Sequence, residues 1–365
     1  MINKRSLRLS YMGGICLLLS LPLLVYSQKD SVKQKNLLLF PVVARSIETG
    51  WSFGGLGALT FRPFKNDTVS RTSDLDALLL YSTKKQLVMA ITGSQYFNKE
   101  KYILHEQVSF SSFPDKFWGL GQQTADTDEE AYKFKQYYVY AHLMRKVAPH
   151  LFAGVLFEKQ KVWDIEYQAG GKFDQQQVFG RHGYHVSGLG GSVTWDSRNN
   201  AFAPDKGFLY QFTFNHFSKM LGSDYVYTNY VFDLRKFLAV RKSVLAFQLF
   251  SFNNTGDVPV RSLASFGGAN RMRGYYDGRY KDKNLLVFQA EYRFPLLKRI
   301  SAVVFGSTGN VGRDFTDYTL RDLKYSYGGG LRIAVNKKEK LNIRLDYGIG
   351  QGKNNGFYLQ LGEAF

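Results

Sequence analysis

From residue 185 onward the chain alternates apolar and polar side chains with a period of two. In "LNIRLDYGI", Leu341, Ile343, Leu345, Tyr347 and Ile349 share one face, while Asn342, Arg344, Asp346 and Gly348 share the other. In "LLVFQAEYRF", Leu286, Phe288, Ala290, Tyr292 and Phe294 alternate with Gln289, Glu291 and Arg293. In "GFLYQFTFN", Phe208, Tyr210, Phe212 and Phe214 alternate with Gln211, Thr213 and Asn215. A period of two is that of a β-strand with one apolar face. A soluble sandwich shows the same period. Here the second face carries Arg, Asp, Glu and Gln, as a watery lumen allows.

The pattern predicts sixteen strands, near 36–45, 50–63, 72–82, 86–97, 101–112, 131–146, 149–162, 185–197, 206–218, 224–237, 241–253, 283–294, 299–308, 323–335, 340–350 and 356–365. Their connections alternate in length. Stretches 113–130, 163–184, 254–282 and 309–322 are long, whereas those near 147–148, 238–240, 295–298 and 336–339 are short. Long external loops and short periplasmic turns are the signature of an outer-membrane barrel, and an even strand count places both ends in the periplasm. The expected fold is therefore all-β, a 16-stranded antiparallel transmembrane β-barrel with long extracellular loops.

Composition agrees. Phe, Tyr and Trp make up 16% of the chain, with 35 glycines and only 8 prolines. No run of 18 or more apolar residues follows the start, so no membrane-spanning helix is expected. The chain opens with basic Lys4, Arg5 and Arg8, then an apolar run from Ile15 to Val25. Val25 and Ser27 have the small-residue spacing of a cleavage site, so residues 1–27 are expected to be a cleaved secretory signal. The barrel is expected over 28–365, with no soluble domain before it. The single cysteine, Cys16, leaves with the signal, which excludes disulfide and thiol chemistry in the mature chain. Loss of three basic residues takes the net charge from +18 to +15. Such a charge points to anionic partners, and a secreted chain favours lipid headgroups (lipopolysaccharide or phospholipid) over nucleic acid.

Enzyme signals are few. His182 and His185 in "RHGYH" have no companion cysteine or second histidine pair, so no metal site is expected. There is no Gly-x-Ser-x-Gly elbow. "VFGSTGNVG" lacks the Gly-Lys-Ser/Thr ending of a phosphate loop. No catalytic residue and no cofactor are expected.

One stretch stands apart. "FGGANRMRGYYDGRY", 266–280, lies in the long connection between the eleventh and twelfth strands. Met272-Arg273-Gly274-Tyr275, preceded by Phe266-Gly267-Gly268, resembles the sixth-loop motif of the Omp85 superfamily, the BamA/TamA-like outer-membrane proteins of bacterial surface antigen type. Asp196 and Arg198, then Pro204 and Gly207, match a second motif of that family before the ninth strand. Turn geometry alone also explains it, since Asp and Arg two apart share a strand face and Pro then Gly make a turn. In the third motif the family usually has an aspartate where Ser307 stands, which removes one expected carboxylate. The terminal Phe365 resembles the signal read by the outer-membrane insertion machinery.

The resemblance implies that the sixth loop folds inward and that Arg273 docks it against the lumen-facing Glu291. A guanidinium pairs with a carboxylate in a planar two-pronged geometry. Gly274 lets the backbone approach the wall, and Tyr275 packs across it. The resemblance further implies work on outer-membrane protein insertion, assembly or translocation, with other barrels or their assembly machinery as partners. Gly348, Gly350, Gly352, Gly356 and Gly362 are expected to weaken the seam between first and last strands. The family's POTRA domains are not expected here. A passive, anion-leaning pore and an accessory subunit of a larger complex remain alternatives.

Overall fold

The computed structural model describes residues 35–64, 67, 70, 72–200, 202–319, 321–336 and 340–365. The expected signal at 1–27 and most of the turn at 336–339 lie outside them. Sixteen strands close an antiparallel barrel. They are β1 (Lys35–Ser46), β2 (Gly50–Phe61), β3 (Ser73–Ser82), β4 (Leu87–Phe97), β5 (Tyr102–Phe117), β6 (Glu130–Ala148), β7 (Leu151–Glu166), β8 (Tyr184–Asp196), β9 (Gly207–Phe217), β10 (Tyr227–Val240), β11 (Ser243–Gly256), β14 (Asn284–Leu297), β15 (Ile300–Gly312), β16 (Lys324–Asn336), β17 (Leu341–Gly350) and β18 (Asn355–Leu361). Two further short strands, β12 (Ala264–Phe266) and β13 (Tyr280–Asp282), pair with each other inside the sixth loop. One helical turn, α1 (Lys172–Gln175), interrupts the loop after β7.

The sixteen strands expected from alternation are all present, and several run longer than the pattern suggested. β5 continues to Phe117, into the stretch read as loop. Its inward residues there, Phe113 and Phe117, are buried, so the core inside the loop end sustains the strand. β15 likewise extends to Gly312.

The alternation sorts outward from inward. Leu39, Phe53, Val155, Leu189, Val304 and Tyr327 lie exposed on the outer wall, Leu39 at 76%. Gln107, Gln160, Gln248, Gln289 and Asn229 are buried inside. This inversion, apolar outside and polar inside, is stable only where hydrocarbon covers the wall. Among the described residues no helix is long and apolar enough to cross a membrane.

The last strand departs from expectation at its end. It stops at Leu361 rather than Phe365. Tyr358 and Gln360 are buried toward the lumen, so two-residue alternation would carry Glu363 to the lipid face, where a carboxylate is costly. Instead Gly362 adopts a left-handed backbone (φ +86). The tail turns into the barrel, and Glu363 accepts a 2.6 Å hydrogen bond from Arg332 Nε. Phe365 packs inside against Phe237, and its carbonyl accepts from Arg293 Nη2.

Candidate functional site: the inward sixth loop

The chain between β11 and β14 folds into the lumen. Its Gly267 and Gly268 both have left-handed φ, +113 and +93. A side chain on Gly267 would fall 2.0 Å from the Tyr276 carbonyl oxygen. Gly268 N–H donates to the Tyr275 carbonyl at 3.0 Å, closing the loop on itself. Phe266, Tyr275 and Tyr280 stack edge to face as its small core.

Arg273 is presented by this turn and is fully buried. Its Nη2 donates to Glu291 Oε1 of β14 at 2.5 Å, and its Nη1 donates to Asp346 Oδ2 of β17 at 2.6 Å. The guanidinium carbon lies 3.5 Å from the centre of the Phe305 ring on β15, a cation–π contact. The two carboxylates are themselves held. Glu291 Oε2 accepts from Arg293 Nε at 2.8 Å, and Asp346 Oδ1 accepts from Arg332 Nη1 at 2.5 Å. Arg332 in turn bonds Glu363 of the tail. Arg344 donates to Asn270 Oδ1 of the loop at 3.0 Å and also to Gln360. Arg344 Nε also stands 3.6 Å from Asp346 Oδ2, so four guanidiniums share three carboxylates. Buried charges survive only in such mutual pairing.

Gly274 follows, with φ +113. Its N–H donates to the Tyr358 hydroxyl of β18 at 3.0 Å. A Cβ at Gly348 would come within 2.5 Å of the Arg273 carbonyl carbon, and one at Gly350 within 2.6 Å of the Tyr275 ring. These β17 glycines are where the loop backbone touches the wall. That is a different role from the seam weakening expected of them. The Tyr275 hydroxyl donates to the Tyr325 carbonyl at 3.0 Å and accepts from Gln351 N–H at 2.8 Å. Burial pushes this phenol up to about 12, so it stays a donor.

The other side of the loop grips the opposite wall. Asp115 at the end of β5 accepts from Arg261 Nη1 at 2.7 Å, the Tyr276 hydroxyl at 3.0 Å and the Tyr132 hydroxyl at 3.0 Å. Arg279 bonds Asp126 Oδ1 at 2.7 Å and the Thr124 carbonyl at 2.9 Å. Asp277 N–H donates to Glu48 Oε1 at 2.9 Å, which joins the loop to the β1–β2 turn. The loop thus bridges the lumen from β5–β6 to β14–β18.

Of the residues singled out from sequence, Arg273, Gly274, Tyr275 and Glu291 come together. Ser307 faces inward on β15 but bonds Ser326 at 3.0 Å. The carboxylate missing at 307 has a counterpart in Asp346. Asp346 stood on the polar face of "LNIRLDYGI", but nothing in one sequence ties β17 to the loop. Asp196 and Arg198 form a separate bidentate pair, with both hydrogen bonds at 2.9 Å, at the short-turn end. Pro204 is buried there, and Gly207 takes φ +98 against the Ser197 carbonyl. Among the described residues no group of three or more His, Cys, Asp or Glu is placed to hold a metal ion.

The Omp85 superfamily domain model matches residues 80–365. The chain belongs to the Omp85 superfamily. Two solved structures share its fold. BamA from Haemophilus ducreyi lacking POTRA domains 1–3 aligns with TM-score 0.59 at 14% identity, over 90% of this chain and 69% of that one. CdiB from Acinetobacter baumannii aligns with TM-score 0.57 at 12% identity, over 90% of this chain and 60% of that one. This chain therefore spans about 60–69% of the length of those two chains. No curated protein sequence matches it.

Proposed function

We propose that this Omp85 barrel resides in the outer membrane of a Gram-negative cell. There it aids the insertion or assembly of other outer-membrane proteins by opening its wall at the β1–β18 seam. The observation that carries this reading is the seam itself. Among the described residues β1 and β18 are paired only at Arg45 and Leu359. The next-shortest ladder of the barrel wall, β17–β18, has seven pairs. A short ladder leaves edge N–H and C=O groups ready to template an incoming strand.

The test is a lock. Arg45 and Leu359 face each other across an antiparallel pair, a spacing within disulfide reach. Arg45→Cys with Leu359→Cys, oxidised, should deplete the outer-membrane proteome of barrel proteins as strongly as loss of the chain does, and reduction should restore it. An oxidised lock that leaves the proteome intact removes seam opening from the mechanism. A passive pore is the second reading. The loop bridging the lumen disfavours it, and single-channel conductance separates the two.

A further inference from the structure

Exposed cations stand at both ends of the barrel, in different settings. At the long-loop end four lysines meet carboxylates, while others, such as Lys84 and Lys85 of the β3–β4 turn, are exposed and make no ion pair among the described residues. Lys116 pairs with Glu129, Lys133 with Glu166, Lys135 with Asp164 and Lys172 with Asp128. At the short-turn end three hairpin tips carry two cations each. They are Arg145-Lys146 at the end of β6, Arg241-Lys242 between β10 and β11, and Lys298-Arg299 between β14 and β15. All six are exposed, and no ion pair engages any of them among the described residues.

Each pair adjoins exposed aliphatic side chains. Val147 follows the first, Leu238 and Val240 precede the second, and Leu296 and Leu297 precede the third, with Leu297 at 69% exposure. Exposed aliphatics next to unpaired cations suit one kind of surface. The aliphatic groups sit at the edge of the acyl layer, and the flexible cations reach the phosphates beyond it. An acidic protein surface would satisfy the cations but leave the aliphatic ring in water.

We propose that this rim binds anionic phospholipid, through the headgroup phosphates of the leaflet at the short-turn end. The inference rests on the outer-membrane reading above but not on the assembly role. Headgroup phosphates would neutralise the rim and fix the height of the wall in the bilayer. Two of the three sites belong to the Glu291 strand's own hairpin, β14–β15, and to the neighbouring hairpin, β10–β11.

The probe is the purified full barrel in nanodiscs of phosphatidylcholine, with and without phosphatidylglycerol. Folding into pure phosphatidylcholine discs, read by heat-modifiable mobility on gels, checks the membrane reading separately. Native mass spectrometry then reads which lipid is retained. The wild-type barrel should retain phosphatidylglycerol over phosphatidylcholine. The variant R145Q/K146Q/R241Q/K242Q/K298Q/R299Q should fold equally in phosphatidylcholine and lose that preference by about tenfold or more. The control K133Q/K135Q, at the opposite end, should keep it. A wild type without preference, or a control that loses as much, overturns the proposal. So does a rim that binds polyglutamate but discriminates no lipid, which would make its partner an acidic protein.

Discussion

Arg273 and Asp346 lie 73 residues apart in sequence and 2.6 Å apart at Nη1 and Oδ2. With Glu291 on its other amino group, the loop arginine is clamped between two strands, β14 and β17, that are not neighbours in the sheet. The clamp therefore ties the wall across β15 and β16 as well as holding the loop. Removing one partner of a buried pair leaves the others uncompensated, at a cost of about 3–5 kcal/mol. Arg273→Ala should lower the heat resistance of the folded barrel accordingly. Arg273→Lys should recover only part, because an ammonium cannot serve two carboxylates with parallel geometry. In double-mutant cycles on unfolding, Arg273→Ala should couple to both Glu291→Gln and Asp346→Asn. Strict additivity with either one removes that carboxylate from the clamp.

The contact of Gly348 with Arg273 predicts a steric effect independent of charge. Gly348→Ala puts a methyl 2.5 Å from the Arg273 carbonyl carbon and 2.7 Å from Gly274 N, both loop backbone. The loop should be displaced and become open to protease at 266–280. Gly306→Ala on β15 is the matched control, since its nearest neighbour is the Ser326 carbonyl oxygen at 4.0 Å. Equal protease sensitivity in the two variants would mean that strand weakening, not loop contact, is what the glycine governs.

Much of this was legible in the chain, because a barrel writes its wall as a two-residue code. Each strand was visible from its own residues, and so was the polarity of the inner face. The Arg273–Glu291 pair was reachable since the loop leads directly into β14. Asp346 was not, because its nearness to the loop comes from the closure of the sheet. The inward turn of the tail was signalled by one conflict, Glu363 on an otherwise apolar face, and Gly362 resolves it. Gly348 and Gly350 were visible as glycines, but only the folded chain shows the loop backbone that needs their missing side chains.

The join between the loop and the first hairpin should respond to pH. Asp277 is pushed up to about 7, first by burial and then by the Glu48 carboxylate. Burial also raises Glu48. Facing them are Ser265 of β12, Lys281 of β13, Arg271 of the loop and, toward Glu48, Lys84 of the β3–β4 turn. An acid whose folded value lies above its unfolded value near 3.9 holds a proton that the unfolded chain has lost. Its contribution is full below about pH 4 and is lost as pH rises through about 7. Loop protection from protease should therefore be greater at pH 5 than at pH 8, by about tenfold or more. Asp277→Asn should flatten the profile. A profile that keeps its slope in Asp277→Asn assigns the effect to another group.

Asp115 anchors the far side of the loop, and it makes the two ends separable by conductance. It accepts hydrogen bonds from Arg261, Tyr276 and Tyr132, two of them on the loop. Asp115→Asn keeps the shape but removes the charge that the Arg261 guanidinium pairs with at 2.7 Å. With only that anchor weakened, the loop is still clamped by Arg273, so a purified barrel in a planar bilayer should show brief openings. Arg273→Ala alone should behave similarly, with Asp115 holding the other side. The combined Asp115→Asn/Arg273→Ala barrel has neither hold and should show long-lived openings of larger conductance. The wild type should be nearly silent under the same voltage. A wild type that already conducts steadily, unchanged by the double substitution, would mean that the loop does not close the lumen. The passive-pore reading would then replace assembly as the function of this barrel.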